Sequence, residues 1–185
     1  VQYSVERALI DQVTALAARG GSAVVLDTRT GEVIAMAGVR RDPETGRVSV
    51  TSGNIAAVDA AEPGSVVKTI TVAAALNEGT VTPDTQFEVP YEKQFSDTKL
   101  HDAEPHPTGM WPVSRILTKS SNIGTIETML TLGSTLRETK QKLGGYFNAV
   151  GLGQKTALDF PNESRGLGAD SVSYTHLRAH ETVLD

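Results

Sequence analysis

The stretch that decides the fold reads Glu62-Pro63-Gly64-Ser65-Val66-Val67-Lys68-Thr69-Ile70-Thr71-Val72-Ala73-Ala74-Ala75-Leu76. A Pro-Gly pair opens it, and the apolar, alanine-rich run behind that pair predicts a helix that starts at Ser65 and ends at Gly79. Because apolar residues surround this helix on nearly every side, we expect it to be buried. Lys68 follows Ser65 by three residues, and residues at that spacing are neighbours on one helix face.

Ser65 and Lys68 form a Ser-x-x-Lys pattern, which is typical of a serine nucleophile activated by a lysine. A serine hydroxyl is a poor nucleophile until a nearby base takes its proton. Burial lowers the pKa of a lysine because it disfavours the charged amine, and the neutral amine can be that base. The unpaired amides at the helix N-terminus would stabilise negative charge on the serine oxygen and on an acyl-transfer oxyanion.

Both residues also have a purely structural interpretation. Ser65 could serve only as an N-cap, since serine after a turn is a preferred cap residue. Lys68 could extend along its own stem to reach solvent. Ser-x-x-Lys is a weak signal by itself, because at average residue usage it recurs by chance about once in a few hundred positions. The other motifs of the chain decide between the two interpretations.

The composition excludes several classes of protein. The chain has 185 residues, of which 39% are hydrophobic and 21% charged, as in a soluble globular domain with a real core. Its net charge of -5 provides no basic surface for nucleic acid, so we expect no nucleic-acid partner. It contains no cysteine, which excludes disulfides, thiolate metal sites and cysteine catalysis. It carries neither an apolar run of membrane-spanning length nor a signal peptide, and since it starts at Val1 we expect any anchor to lie upstream.

A helix and a β-hairpin are predicted before the central stretch. Residues 1–19 carry apolar side chains at helical spacing, and Gly20-Gly21 ends that helix. Two short apolar runs, residues 22–27 and 32–37, predict strands. The turn between them is Thr28-Arg29-Thr30-Gly31, in which Gly31 is free to adopt positive φ.

Three regions carry weaker signals. Arg29-Thr30-Gly31 is similar to the Lys-Thr-Gly element of some serine acyltransferases, but its place in a tight turn before the serine favours the turn. Residues 38–61 are polar and predict a loop leading into the central helix. Residues 80–112 contain five prolines and predict extended chain. His101 and His106 lie in that region without a metal-ligand spacing, which favours a solvated loop and no metal site.

The second half of the chain predicts three further helices. The first covers residues 113–119, the second ends near Gly133, and the third covers residues 134–146. Ser120-Ser121-Asn122 lies at the junction of the first two and forms a Ser-x-Asn triplet. In isolation this triplet is better explained as another helix N-cap.

Taken together and in this order, the motifs closely resemble the transpeptidase domain of class B penicillin-binding proteins, the septal cell-division type most of all. The resemblance covers roughly residues 3–168 and implies an α+β fold, a partial penicillin-binding transpeptidase (serine β-lactamase-like) fold. That fold would combine an N-terminal helix and β-hairpin with a helical subdomain. The segments that carry the resemblance are Gly21–Asp27 with Thr30–Ala37, Glu62–Lys68, Leu76–Gly79, Thr82–Thr85, Ser120–Thr125, Gly151–Gly153 and Pro161-x-Glu163-x-x-Gly166.

The resemblance implies a peptidoglycan D,D-transpeptidase that uses no metal and no cofactor. Ser65 would attack the penultimate D-alanine of a stem peptide, and an amine from a neighbouring stem would resolve the acyl-enzyme. Lys68 is implied as the base and Ser120 as a proton relay. Asn122 is implied as a hydrogen-bond partner of Lys68 and of the substrate backbone. The Ser65 amide would form half of the oxyanion hole, and β-lactams would acylate Ser65 as substrate mimics.

The resemblance also implies partners and a location. Family members work on peptidoglycan stem peptides together with a membrane glycan polymerase and division proteins. They are anchored to the cell membrane by one N-terminal helix, with the catalytic domain on the extracytoplasmic, periplasmic side.

The chain departs from the family pattern in its C-terminal part. A Lys-Thr/Ser-Gly strand should follow Asn122 far downstream, but Lys155-Thr156-Ala157 lacks the glycine and lies too early. We therefore expect residues 1–170 to be the N-terminal part of a transpeptidase domain whose C-terminal strands are missing, and this fragment to be inactive as it stands. Residues 171–185 resemble a translated sequencing adapter rather than the family. Their His176 and His180 do not follow the His-Glu-x-x-His order of a zinc site.

Two other functions stay open at the level of sequence. A serine β-lactamase or a D,D-carboxypeptidase shares Ser-x-x-Lys, although Glu62-Pro63-Gly64 and the Ser120–Thr125 context favour the class B enzymes. A non-catalytic β-lactam sensor or binding module would be acylated at Ser65 without turnover. Covalent penicillin binding that survives Ser65→Ala would refute each of these functions and the transpeptidase function as well, since all of them form an acyl-enzyme on Ser65.

Overall fold

The N-terminal helix and hairpin predicted from the sequence form one compact unit. A computed structural model describes residues 1–95, 98–156 and 158–166, and these divide into two units. The first unit contains Val1–Ala60 with Lys155–Ser164, and the second contains residues 61–154 with 165–166. The segment 171–185, with His176 and His180, lies outside the described residues.

In the first unit, helix α1 (Gln2–Ala15) packs on strands β1 (Gly20–Leu26) and β2 (Val33–Arg41). The strands are antiparallel, with Val24 opposite Met36. The Asp27 carboxylate accepts the backbone N–H groups of Arg29 and Thr30, and Gly31 has φ +75°. This turn chemistry fixes the hairpin at the predicted place.

The prediction of a loop over residues 38–61 is wrong in part. Strand β2 continues to Arg41 and pairs with a third strand, β3 (Val48–Val50). The turn between them repeats the chemistry of the first, because the Asp42 carboxylate accepts two backbone N–H groups and Gly46 has φ +70°. A short helix, α2 (Ile55–Val58), follows, and Asn54 caps its N-terminus. It ends before the central stretch rather than running into it.

Extended chain covers much of residues 80–112, as predicted. Strand β4 (Gln86–Val89) pairs antiparallel with β7 (Gly109–Pro112), and β5 (Glu92–Phe95) pairs with β6 (Thr98–His101). Trp111 on β7 is buried opposite Phe87 on β4, so these pairs present apolar side chains to the core of the second unit.

Four helices build the rest of the second unit. They are α3 (Val67–Asn77), α4 (Val113–Thr118), α5 (Asn122–Leu130) and α6 (Leu136–Ala149). Helix α3 packs against α5 and α6, with Val72, Leu143 and Phe147 in the shared core. Gly124 lets α4 approach α5, because a Cβ there would lie 2.6 Å from Ile116 Cγ1. The α+β class and the helical subdomain expected from the sequence are confirmed.

The central helix is less buried than its composition predicts. Thr71, Val72, Ala74 and Ala75 are buried, but Ala73 is exposed and Leu76 is 39% exposed. Alanine-rich helices carry apolar residues on every face, so their periodicity does not reveal the solvent side. Across the described residues, no helix is both long enough and apolar enough to cross a membrane.

Candidate active site

Ser65 lies in a single 3-10 turn, Gly64–Val66, directly before α3. Gly64 has φ +55°, a left-handed conformation that glycine adopts without strain, and this presents Ser65 at the surface. The N-cap position of α3 is Val66, and no side chain caps the helix. Within the described part of the chain the Ser65 hydroxyl has no hydrogen-bond partner, so the N-cap interpretation of Ser65 is wrong.

Lys68 is the second residue of α3, and only 2% of its surface is exposed. Its Nζ donates to the Ser120 carbonyl at 2.5 Å and to Asn122 Oδ1 at 2.5 Å, and lies 3.1 Å from Ser120 Oγ. Three acceptors therefore receive the three protons of the ammonium group. The side chain turns into the protein, which excludes the interpretation that Lys68 extends to solvent.

The environment of Lys68 changes its protonation equilibrium. Burial lowers the pKa of Lys68 to about 8, while the negative charge of Asp102 opposes that change. At pH 7 roughly a tenth of the lysine is then neutral, compared with far less than a hundredth for an ordinary lysine. A buried amine with a neutral fraction of this size can accept a proton.

Ser120 forms the junction between α4 and α5 in an unusual conformation. Its φ is +53°, in the left-handed region that non-glycine residues rarely adopt. This conformation lets the backbone carbonyl and the hydroxyl of one residue both face Lys68 Nζ. Strained conformations of this kind persist where surrounding contacts fix them, and they cluster at functional sites.

Asn122 is the first residue of α5 and is buried, with 6% of its surface exposed. Its Oδ1 accepts from Lys68, and its Nδ2 donates to the His101 carbonyl at 2.7 Å. The residue that caps α5 is its neighbour Ser121, whose hydroxyl accepts the Gly124 N–H at 2.9 Å. The Ser-x-Asn triplet thus combines a cap at its middle position with lysine contacts at its two outer positions.

Sequence reasoning missed Asp102. This carboxylate is 4% exposed and accepts hydrogen bonds from Ser121 Oγ, Asn122 N, Ile123 N and His106 Nε2. No motif marks it, because three of the four groups it binds are 19 to 21 residues later in the chain. The nearest sequence signal was His106 at i+4.

The two histidines expected in a solvated loop are partly buried instead. His101 ends strand β6, and the His106 side chain is 14% exposed. His106 stacks on Trp111 at 4.5 Å between ring centroids, which withdraws it from solvent. Over the part of the chain that is described, no group of three or more potential ligand residues is placed to hold a metal ion.

A Ser-x-x-Lys turn whose buried lysine contacts a serine and an asparagine of one Ser-x-Asn triplet is typical of penicillin-interacting serine proteins. The chain belongs to the family described as the penicillin binding protein transpeptidase domain, whose model matches residues 21–177.

Curated relatives support the same assignment. The chain is 34% identical over 178 residues to "Penicillin-binding protein PbpB" of Mycolicibacterium smegmatis, covering 90% of this chain and 26% of that protein. It is 34% identical over 154 residues to "Probable peptidoglycan D,D-transpeptidase PenA" of Neisseria flavescens, covering 81% of this chain and 36% of that protein. The chain therefore spans about a quarter to a third of these relatives.

Solved structures share the fold. Penicillin binding protein 3 of Mycobacterium tuberculosis, complexed with ampicillin, superposes with a TM-score of 0.77 at 33% identity, covering 91% of this chain and 37% of that one. A peptidoglycan glycosyltransferase of Burkholderia ambifaria gives a TM-score of 0.75 at 26% identity, with coverage of 97% and 54%.

Proposed function

We propose that the protein carrying this chain is a peptidoglycan D,D-transpeptidase of the septal type that works through an acyl-enzyme on Ser65. The observation that carries the proposal is the buried Lys68, which is hydrogen-bonded to Ser120 and Asn122 and lies one helical turn from the exposed Ser65. Burying a lysine is costly unless its protons have partners or its chemistry is used. The D,D-transpeptidase named among the relatives supports the substrate class.

The acylation step follows from the donors and acceptors around Lys68. The Ser120 carbonyl and Asn122 Oδ1 can only accept, so they hold two hydrogens of the neutral amine. Its lone pair is left to accept a proton from a hydroxyl. As the proton of Ser65 moves to Lys68, Ser65 Oγ forms a bond to the carbonyl carbon of the penultimate D-alanine.

The leaving group and the acceptor use the same proton path in opposite directions. The peptide C–N bond breaks, and Ser120 relays a proton from Lys68 to the departing D-alanine nitrogen. An amine of a neighbouring stem then attacks the ester, its proton returns to Ser65 Oγ by way of Lys68, and an amide cross-link forms. Asn122 and the Ser65 backbone N–H stabilise the substrate backbone and the oxyanion in both steps.

β-Lactams fit the same site as covalent inhibitors. Attack by Ser65 opens the lactam C–N bond and leaves an ester on the serine, with the nitrogen still attached to the product. Penicillin binding protein 3 of Mycobacterium tuberculosis is known in complex with ampicillin and in complex with aztreonam, which supports a β-lactam ester on Ser65 here.

The expected partners and location extend the same proposal. The protein acts on stem peptides outside the cytoplasmic membrane, held there by an N-terminal membrane helix. It works there with a membrane glycan polymerase and with division proteins. We further propose that residues 1–170 belong to the transpeptidase domain and that residues 171–185 do not, so that the last seven residues of the family match, 171–177, lie beyond the domain.

Turnover of a synthetic stem peptide tests the proposed function. The full-length protein carrying this sequence is incubated with a pentapeptide donor and an amine acceptor, and released D-alanine and cross-linked product are quantified. We expect both products in equal amounts, and neither with Ser65→Ala. Ser114→Ala, which removes another exposed hydroxyl in the same unit, should leave the rate unchanged. Rapid release of penicillin from Ser65 without cross-linking would favour a β-lactamase instead.

A further inference from the structure

Both oxygens of the buried Asp102 carboxylate accept hydrogen bonds. Oδ1 accepts from Asn122 N at 2.5 Å and from Ile123 N at 3.0 Å. Oδ2 accepts from Ser121 Oγ at 2.7 Å and from His106 Nε2 at 2.9 Å. Three of these donors belong to consecutive residues at the N-terminus of α5, where unpaired amides and the helix dipole favour a negative charge.

We infer that Asp102 is the positioning residue of the Lys68–Ser120–Asn122 cluster, and that it fixes the α4–α5 junction so that Ser120 and Asn122 face Lys68. The inference rests on the proposed function, because the reaction depends on that cluster. Among the described residues, no hydrogen bond joins Asp102 to Lys68. It acts through the backbone that it binds.

The strand end that carries Asp102 also orients the Asn122 amide. The His101 carbonyl accepts from Asn122 Nδ2 at 2.7 Å, and a carbonyl can only accept. The amide must therefore turn Oδ1 toward Lys68, which donates to it. His101 fixes the side chain of Asn122, and Asp102 fixes its backbone.

His106 holds the far side of the carboxylate. Its Nε2 faces Asp102 Oδ2, and its Nδ1 lies 3.0 Å from the Pro107 carbonyl. The ring is packed between Trp111 and Tyr91, at 4.5 and 6.1 Å between centroids. This packing fixes the Nε2 donor, so Oδ2 keeps a partner that does not depend on α5.

Because Asp102 is charged, its replacement should change the pH dependence of acylation as well as the rate. Burial lowers the pKa of Lys68, and the Asp102 charge raises it. Asp102 is the charged group that acts on Lys68, and His106 contacts Asp102 in turn. The groups that bind Lys68 Nζ directly, from Ser120 and Asn122, are uncharged. An uncharged residue in place of Asp102 removes the charge that raises the pKa of Lys68, so burial lowers that pKa further.

Acylation kinetics of the full-length protein test this inference. The second-order rate constant for a fluorescent penicillin is measured from pH 6 to 10 for wild type, Asp102→Asn and Asp84→Asn. Asp84 is an exposed aspartate of the same unit and serves as the matched control. We expect Asp102→Asn to slow acylation at least tenfold and to move the rising part of the pH profile to lower pH. Asp84→Asn should change neither.

Two variants of His106 test the positioning role of Asp102 even if Asp102→Asn does not fold. His106→Gln keeps an N–H donor toward Asp102, whereas His106→Leu removes it. We expect His106→Gln to acylate within about threefold of wild type and His106→Leu to be slower than His106→Gln by about tenfold.

The two proposals fail in different ways. If Asp102→Asn is acylated at the wild-type rate and with the wild-type pH profile, the positioning role is overturned and the proposed function stands. Equal rates for His106→Gln and His106→Leu would have the same meaning. If wild type is not acylated at Ser65, the proposed function fails and the positioning role fails with it.

Discussion

Lys68 Nζ donates to Asn122 Oδ1 at 2.5 Å across 54 residues of sequence, and both side chains are buried. This bond joins the first turn of α3 to the first residue of α5. Any change at either end therefore alters the environment of the lysine next to the exposed Ser65.

Replacing Lys68 separates its chemical role from its structural one. Lys68→Met keeps the length of the side chain and removes the amine, so we expect acylation by penicillin to fall by about 10²- to 10⁴-fold. Lys140→Met changes an exposed lysine of α6 and should leave the rate unchanged. Stopped-flow fluorescence with a labelled penicillin measures both. A Lys68→Met protein that folds and acylates at the wild-type rate would exclude Lys68 as the base.

Acylation should depend on pH through the same lysine. In the proposed mechanism only the neutral amine accepts the proton of Ser65, and the pKa of Lys68 is about 8. We expect the second-order rate constant to rise from pH 6 and to level off above pH 9, with its midpoint near the pKa of Lys68. A rate constant that is flat over this range in wild type would contradict the assignment.

The lowered pKa also predicts a stability effect of defined sign. The folded protein releases the Lys68 proton near pH 8, whereas the unfolded chain keeps it up to about 10.5. Between these values the unfolded state binds more protons, so the contribution of Lys68 to the free energy of unfolding rises with pH. The rise is at most about 3 kcal/mol.

Denaturant unfolding of wild type and Lys68→Met at pH 7.5 and pH 10 isolates this contribution. The difference in unfolding free energy between the two proteins should shift in favour of wild type at the higher pH. A shift in the opposite direction would mean that the folded state holds the Lys68 proton more tightly than the unfolded chain.

Two small substitutions test whether Ser120 keeps its left-handed backbone conformation. Ser120→Gly and Ser120→Ala both remove the hydroxyl that faces Lys68, so both should slow acylation similarly. Glycine adopts φ +53° without strain, and alanine does not. We expect Ser120→Gly to be more stable than Ser120→Ala by about 1 kcal/mol in thermal or denaturant unfolding. Equal stability would show that the positive φ is not maintained.

The sequence predicted those parts of the molecule that local patterns determine. The hairpin turn at Gly31, the helix behind Ser65 and the junction at Ser120 follow from turn residues, apolar periodicity and motif spacing. Strand β3 was missed because its three residues are too short to show alternation. Asp102 was missed because three of its four partners lie at the start of a helix that is distant in sequence, and only the folded chain brings them together.

The proposed function depends on acylation of Ser65. The most direct measurement incubates the full-length protein with benzylpenicillin, digests it with a protease and identifies the modified residue by tandem mass spectrometry. We predict one penicilloyl adduct, on Ser65, that is absent from Ser65→Ala and retained in Ser114→Ala. A stable adduct on another residue, or labelling that persists in Ser65→Ala, would exclude Ser65 as the nucleophile.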